Sequence, residues 1–163
     1  MSSSSLLEEV REGLPGDLRD TYFGEGADRG VHLAVMREPY LSFLIGGSKT
    51  IESRFSVNRV DPFGRVHVGD LVLLKAGPVM GAFIVEQVDF KEIAPGQLDE
   101  VRDQFNDRIL ADSEFWDAKA GARFASLMKV RSVRSIPEFA VSKRDMRGWV
   151  VLRASHRDHV TLW

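Results

Sequence analysis

The sequence predicts an α+β domain built on a small β-barrel of about six strands, with two or three helices packed against it. Several short apolar segments bounded by turn residues resemble strands, and they do not alternate regularly with helices, which disfavours a doubly wound parallel sheet. The 163 residues, 44% of them hydrophobic, are enough for one continuous core. We therefore expect one domain over 31–155, preceded by an N-terminal helix and turn-rich lead-in over 1–30 and followed by a tail over 156–163.

The N-terminal segment contains a helix-capping pattern. Ser5 and Glu8 have the spacing at which each side chain accepts a hydrogen bond from the other residue's amide. A short helix is expected to continue to about Gly13. Glycines and a proline then recur up to Gly30, which predicts turns and places the domain boundary near that residue.

The first half of the domain is predicted to form a strand, a helix and a second strand. Segment 31–36 is apolar enough for a strand, and Pro39 suits the first turn of a helix that is ended by Gly46 and Gly47. The residues that follow alternate in polarity, so Ile51 and Phe55 share one face of a strand. Polar side chains form its opposite face: Thr50, Glu52 and Arg54.

The second half is predicted to contain more strands around an acidic helical region. Turn residues precede predicted strands over 71–75 and 79–90. Apolar residues then recur at helical spacing over 98–127. Valines predict a strand around 130–133, and 149–152 is the last strand.

Composition excludes several functional classes. Without cysteine there is no disulfide, thiolate zinc site or cysteine nucleophile. No apolar run is long enough to cross a membrane, and the first residues lack the features of a signal peptide. There is no phosphate-loop motif, and the histidines do not form a metal-binding pattern. We expect a soluble cytoplasmic protein that needs no cofactor and no metal.

The net charge of −2 conceals a separation along the chain. The net charge is −7 between Glu86 and Asp117, and +8 between Lys119 and Arg157. These segments are either complementary solvated faces or an acidic face and a basic surface for phosphates. Arg131 and Arg134 would extend such a positive track.

Segment 47–54 concentrates polar side chains where a helix leads into a strand, and there a cation and a carboxylate can together bind a base or polarise a carbonyl. This segment resembles the signature of ASCH domains, Gly-x-Lys-Thr-x-Glu-x-Arg. Segment 67–72 resembles that family's valine–glycine–aspartate turn, and the helix of Trp116 and segment 143–150 resemble parts of its larger members. The resemblance, over 31–154, implies a PUA-like barrel with a cleft beside the signature strand, in a group proposed to bind RNA.

Some small members of that family are amidohydrolases that act on acylated cytidine through a lysine and a threonine three residues later. Lys49 matches the lysine, but Glu52 stands where those enzymes have the threonine. Thr50 is no substitute, because a shift of two residues moves a strand side chain by about 6.5 Å. Glu52 beside Lys49 can instead serve as a general base on water, which gives a metal-independent hydrolase, either a nucleoside amidohydrolase or a ribonuclease.

A basic cluster precedes the last strand. This cluster can bind phosphate through Lys143, Arg144 and Arg147, while Trp149 or Trp116 stacks on a base. The alternative is a solvated basic turn beside two tryptophans that belong to the core.

The leading hypothesis is a module that binds RNA, another single-stranded nucleic acid or a nucleotide-like small molecule. Glu52 would accept from a base, and it should then be partly buried, close to Arg54 and within reach of Lys49. Simpler alternatives are an ordinary Glu52–Arg54 ion pair and a protein-interaction adaptor built on the acidic helices. The predicted ligand-binding residues are Lys49, Thr50, Glu52, Arg54, Trp116, Lys143, Arg144 and Arg147.

Overall fold

The computed structural model describes residues 3–142 and 147–156, which form six strands and five helices. The strands are β1 (Val31–Val35), β2 (Ile51–Ser56), β3 (Leu71–Lys75), β4 (Val79–Glu92), β5 (Phe124–Phe139) and β6 (Trp149–Arg153). The helices are α1 (Ser3–Gly13), α2 (Gly16–Phe23), α3 (Tyr40–Gly46), α4 (Leu98–Ile109) and α5 (Ser113–Ala118). The predicted six strands are confirmed, and three of the five helices lie between strands.

The six strands form one mixed sheet in the order β2-β5-β4-β3-β1-β6. β1 and β3 are parallel, and the other neighbours are antiparallel. The ladder between β4 and β5 contains three register shifts, and Ser132 within it has a φ of 52°. Such irregularities bend strands and increase twist. The sheet curls into a half-barrel whose two edges are β2 and β6.

Apolar side chains cover both faces of the curled sheet in three clusters. The inner cluster gathers buried residues such as Leu44 of α3, Phe83 of β4 and Trp149 of β6. A second cluster packs α1 and α2 against the opposite face. A third lies between α4, α5 and the outer face of β2 and β5. Within the described residues, no helix has the length and apolar character needed to cross a bilayer.

The N-terminal residues differ from the prediction in two ways. The helix does end at Gly13, but it begins at Ser3, so Ser5 lies inside it and the predicted capping box is wrong. α2 occupies part of the predicted turn-rich region. Its Leu18 and Tyr22 are buried in the same cluster as the sheet, so tertiary packing outweighs the local turn signals.

The predicted helical region extends too far towards the C-terminus. β5 begins at Phe124, so Phe124 and Leu127 belong to a strand. Leu127 lies opposite Ser53 of β2 on one side and Asp89 of β4 on the other. A strand buried between two neighbours has a continuous apolar run, which local periodicity does not distinguish from a buried helix.

Candidate ligand-binding site

β2 brings the predicted polar residues to the inner face of the half-barrel. Glu52 lies opposite Met128 of β5, which belongs to the inner cluster, and Arg54 lies opposite Ser126. Ile51 and Phe55 pack on the other face. The predicted alternation is therefore confirmed, and it places Glu52 and Arg54 side by side with Lys49 just before the strand. We call Lys49, Glu52 and Arg54 the Glu52 cluster.

Lys49 is a buried cation, with only 2% of its surface exposed. Gly47 caps the C-terminus of α3, and its φ of 87° reverses the chain and turns the following residues towards β2. The Lys49 Nζ donates to the carbonyl oxygen of Ile109 at 2.7 Å and lies 3.8 Å from Glu52 Oε1. Burial lowers the pKa of Lys49, the Glu52 carboxylate partly opposes this, and the positive charge of Arg54 adds to it.

Glu52 is a buried carboxylate whose two oxygens are used unequally. It is 4% exposed. Oε1 accepts a hydrogen bond of 2.8 Å from the Ser53 amide, whereas the contact of Oε2 within the described residues is with Arg54 Nη2, at 3.5 Å. A carboxylate can accept about four hydrogen bonds, so Oε2 has capacity to spare. The expected burial of Glu52 and its proximity to Lys49 and Arg54 are both present.

Arg54 links the two edges of the half-barrel. Its guanidinium donates to the carbonyl oxygen of Gly148 at 3.2 Å, next to β6, and to that of Val35 at 3.0 Å, at the end of β1. It also lies 5.3 Å from the ring centroid of Trp149, a cation–π distance. These contacts fix the guanidinium over the open side of the sheet, next to Glu52.

A buried chain of hydrogen bonds continues from Trp149 away from the Glu52 cluster. The indole Nε1 donates to His32 Nδ1 at 3.1 Å, and His32 Nε2 lies 2.9 Å from Asp70 Oδ2. Because an indole nitrogen only donates, Nδ1 is the acceptor and Nε2 carries the hydrogen that Asp70 receives. The chain therefore supports the ring on which Arg54 rests.

Asp70 belongs to the predicted valine–glycine–aspartate turn and is completely buried. Its carboxylate also accepts from the amides of Gly30 and His67, at 2.8 and 2.9 Å. Burial acts to raise the pKa of Asp70, but the hydrogen bonds from His32, His67 and Gly30 outweigh it and hold that pKa below its ordinary value. The turn is thus a structural junction between β1, β3 and β6.

Of the other predicted site residues, Thr50 and Trp116 lie outside the Glu52 cluster. Thr50 lies at the start of β2, where its amide donates to the carbonyl oxygen of Arg108. Trp116 is 4% exposed on the opposite face of β2, with little surface for base stacking, and its Nε1 has no hydrogen-bond partner among the described residues. Arg147 precedes Gly148, the residue that Arg54 contacts. Two predicted residues lie outside the described part of the chain: Lys143 and Arg144.

Arg134, which was predicted to extend a positive track with Arg131, is paired with an acidic side chain. Arg134 makes a two-pronged ion pair with Asp17 of α2, at 2.7 and 2.9 Å. The pair borders a cavity of about 230 Å³ between α2 and β4, whose walls include Leu18 and Phe83. The charge of Arg134 in the basic segment is therefore matched by α2, which lies outside the acidic segment 86–117.

Three residues near the Glu52 cluster were not predicted as site residues: Tyr40, Arg37 and Lys119. The Lys49 Nζ lies 5.5 Å from the Tyr40 ring centroid. Burial raises the pKa of Tyr40, and the Asp112 and Glu52 carboxylates raise it further. These residues come from separate elements, so no local pattern marks them. Among the described residues, no group of three or more His, Asp or Glu side chains is arranged to hold a metal ion.

Comparison with solved structures shows which fold this is. The crystal structure of ASCH from Zymomonas mobilis matches with a TM-score of 0.61 and 12% identity over 77% of this chain and 90% of that chain. A serine-to-alanine variant of that protein matches with a TM-score of 0.62 and 12% identity, over 82% of this chain and 95% of the other. The chain therefore has the fold of the ASCH proteins. No protein-family model matches the sequence, and no curated protein matches it.

Proposed function

We propose that the protein binds RNA or a nucleotide-like ligand at the Glu52 cluster, where Glu52 accepts a hydrogen bond from the amino or imino group of a base. The observation that carries the proposal is the Glu52 carboxylate: the residue is 4% exposed, and among the described residues the donor to Oε2 is Arg54, at 3.5 Å. A buried acceptor without a good donor favours a ligand that supplies one. The resemblance of segment 47–54 to the ASCH signature supports the same class of ligand.

Arg54 forms the entrance to this site. Its side chain is 23% exposed, whereas those of Lys49 and Glu52 are 2% and 6% exposed. A ligand therefore approaches past the guanidinium, which can donate to a base or a phosphate. Lys49 stays behind Glu52 and balances its charge.

The substitution Glu52→Gln tests this role, because it keeps the side-chain shape and an acceptor for the Ser53 amide while removing the charge. We expect the affinity for single-stranded RNA or a nucleoside to weaken by about 1–3 kcal/mol, with cooperative thermal unfolding retained. Affinity for RNA should also fall with salt, with a log–log slope of about −0.7 for each neutralised phosphate.

The matched control is Glu86→Gln, since Glu86 forms an exposed ion pair with Lys129 at 3.0 Å. It should leave binding unchanged. If Glu52→Gln also binds as the unmodified protein does, Glu52 is a structural partner of Lys49 and Arg54, and the proposed site is wrong.

A second candidate function is hydrolysis, and the buried Lys49 favours it. Lysines whose pKa is lowered by burial beside a carboxylate are frequent in active sites. In this alternative Glu52 takes a proton from the attacking water, and Lys49 stabilises the negative charge that develops on the substrate oxygen.

Incubation with N4-acetylcytidine and with short RNAs, followed by chromatography, tests the hydrolase. We expect Lys49→Met and Glu52→Gln each to lower any turnover at least about 100-fold, the usual range for a general acid–base group. Turnover that survives both substitutions refutes these roles. The Glu52→Gln protein should also show a lower Lys49 pKa, because the carboxylate that opposes the effect of burial is gone.

A further inference from the structure

Three cations from separate elements come close enough at the entrance to the Glu52 cluster to interact electrostatically. Arg54 comes from β2, Arg37 follows β1, and Lys119 ends α5. Arg54 contacts Val35 and the Met36 sulfur, which places its guanidinium next to the segment that carries Arg37. The positive charges of Arg54 and Arg37 both act on Lys119.

Lys119 packs at this entrance against a row of two aromatic rings, those of Phe115 and Tyr40, which we call the aromatic wall. Its Nζ lies 5.3 Å from the ring centroid of Phe115. The Phe115 ring is 6.0 Å from that of Tyr40, and the Tyr40 ring is 5.5 Å from the Lys49 Nζ. Lys119 therefore lies at the outer end of the wall whose inner end is the Glu52 cluster.

The acidic groups nearby are engaged elsewhere. Glu52 is shared between Lys49 and Arg54, the Glu38 carboxylate accepts from the hydroxyl and amide of Ser42, and the Asp112 carboxylate caps α5. Among the described residues, neither Arg37 nor Lys119 forms an ion pair or a side-chain hydrogen bond.

One donor of Arg54, its Nε, has no acceptor among the described residues. Its bonds to carbonyl oxygens and to Glu52 use Nη1 and Nη2, and Nε donates to none of the described residues. Burial lowers the pKa of Lys119, and the charges of Arg54 and Arg37 lower it further, as expected for a cation that lacks an anion.

We propose that Arg37, Arg54 and Lys119 form a phosphate subsite, so that the ligand is a nucleotide whose base is read at Glu52 and whose phosphate lies against these three cations. The proposal extends the proposed function above. A bound phosphate supplies the missing counter-charge to Lys119 and accepts from the free Nε of Arg54. An uncharged nucleoside makes only the base contacts.

The test compares the four common ribonucleosides with their 5′- and 3′-monophosphates by calorimetry, at low and at moderate salt. For the unmodified protein we expect at least one monophosphate to bind about tenfold or more tightly than its nucleoside, and the advantage should shrink with salt. Lys119→Met should remove most of that advantage and leave nucleoside affinity unchanged.

Lys91→Met is the matched control. Lys91 also lies over a phenylalanine, 5.5 Å from the Phe105 centroid, but it is paired with Asp89 at 3.1 Å. This substitution should leave the monophosphate advantage intact. Equal affinity for nucleosides and monophosphates, or an equal loss of both in Lys119→Met, overturns the subsite while the base site stands.

Inorganic phosphate gives a readout that is independent of base binding. It should raise the melting temperature of the unmodified and Lys91→Met proteins more than that of the Lys119→Met protein. If phosphate acts in this way but no nucleoside, nucleotide or RNA binds, the subsite stands as an anion site and the proposed function falls. If phosphate stabilises all three proteins equally, the subsite is wrong.

Discussion

Replacing Asp70 by alanine is expected to lower the free energy of unfolding by about 3–5 kcal/mol, because two buried donors and one partly buried donor lose their shared acceptor. Asp70 is fully buried and accepts from the Gly30 amide, the His67 amide and His32 Nε2. Each donor left unpaired in the core costs about 1–3 kcal/mol. The Trp149 ring that supports Arg54 loses its anchor as well, so ligand affinity should fall with stability.

Urea denaturation of Asp70→Ala and Asp70→Asn measures this effect. The asparagine retains one carbonyl oxygen, so its loss of stability should be smaller than that of the alanine. Asp61→Ala is the control, since the Asp61–Arg65 pair is partly exposed and such pairs contribute about 0–1 kcal/mol. An Asp70→Ala protein as stable as Asp61→Ala would show that the turn is not a structural junction.

The stabilisation that the Asp70 carboxylate provides depends on pH. The pKa of Asp70 in the folded protein is below its ordinary value of 3.8, so the unfolded chain binds a proton more readily than the folded one. The stabilisation is therefore fully present above the ordinary value and is lost as the pH falls through and below it. Asp70→Asn lacks this group, so its stability should change less over that acidic range.

Replacing Glu52 by leucine is expected to lower the free energy of unfolding by about 3–5 kcal/mol, because Lys49 becomes a buried charge with no counter-ion. Lys49 is 2% exposed and lies 3.8 Å from the carboxylate. The Ser53 amide also loses its acceptor. Adding Lys49→Met removes the stranded charge, and the double variant should recover most of the stability, since apolar replacements of buried pairs are often neutral or stabilising.

The exposed pair of Glu86 and Lys129 provides the comparison for this double-mutant cycle. Its coupling energy should be below about 1 kcal/mol. If the double variant of Glu52 and Lys49 is no more stable than Glu52→Leu alone, the two side chains do not compensate each other in the folded protein. Chemical denaturation of the four proteins in each cycle gives both coupling energies.

The sequence was informative where the deciding interactions are local. Alternating polarity placed Glu52 and Arg54 on one face of β2, opposite Ile51 and Phe55, and each neighbouring residue in a strand does point to the opposite side. The glycine that ends α3 was predicted for the same reason, because a residue with a φ of 87° favours glycine whatever surrounds it.

Other features depend on residues far apart along the chain and could not be predicted. Arg54 bonds to Gly148, 94 positions away, and Trp149 donates to His32, 117 positions away. The turn at Asp70 was expected, but its buried partners were not. Likewise, no local pattern distinguishes Lys119 within its basic segment, and its electrostatic interaction with Arg54 depends on where α5 packs.

The central claim is that the Glu52 cluster binds a ligand and is more than an internal ion pair, and the double variant Lys49→Met with Glu52→Leu tests it most directly. The measurement is its affinity for single-stranded RNA and for the nucleotide that binds best to the unmodified protein. Our account predicts a stably folded protein whose binding is reduced at least about tenfold, a change of about 1.4 kcal/mol. A stable double variant with unchanged affinity would contradict the account and place any ligand site elsewhere.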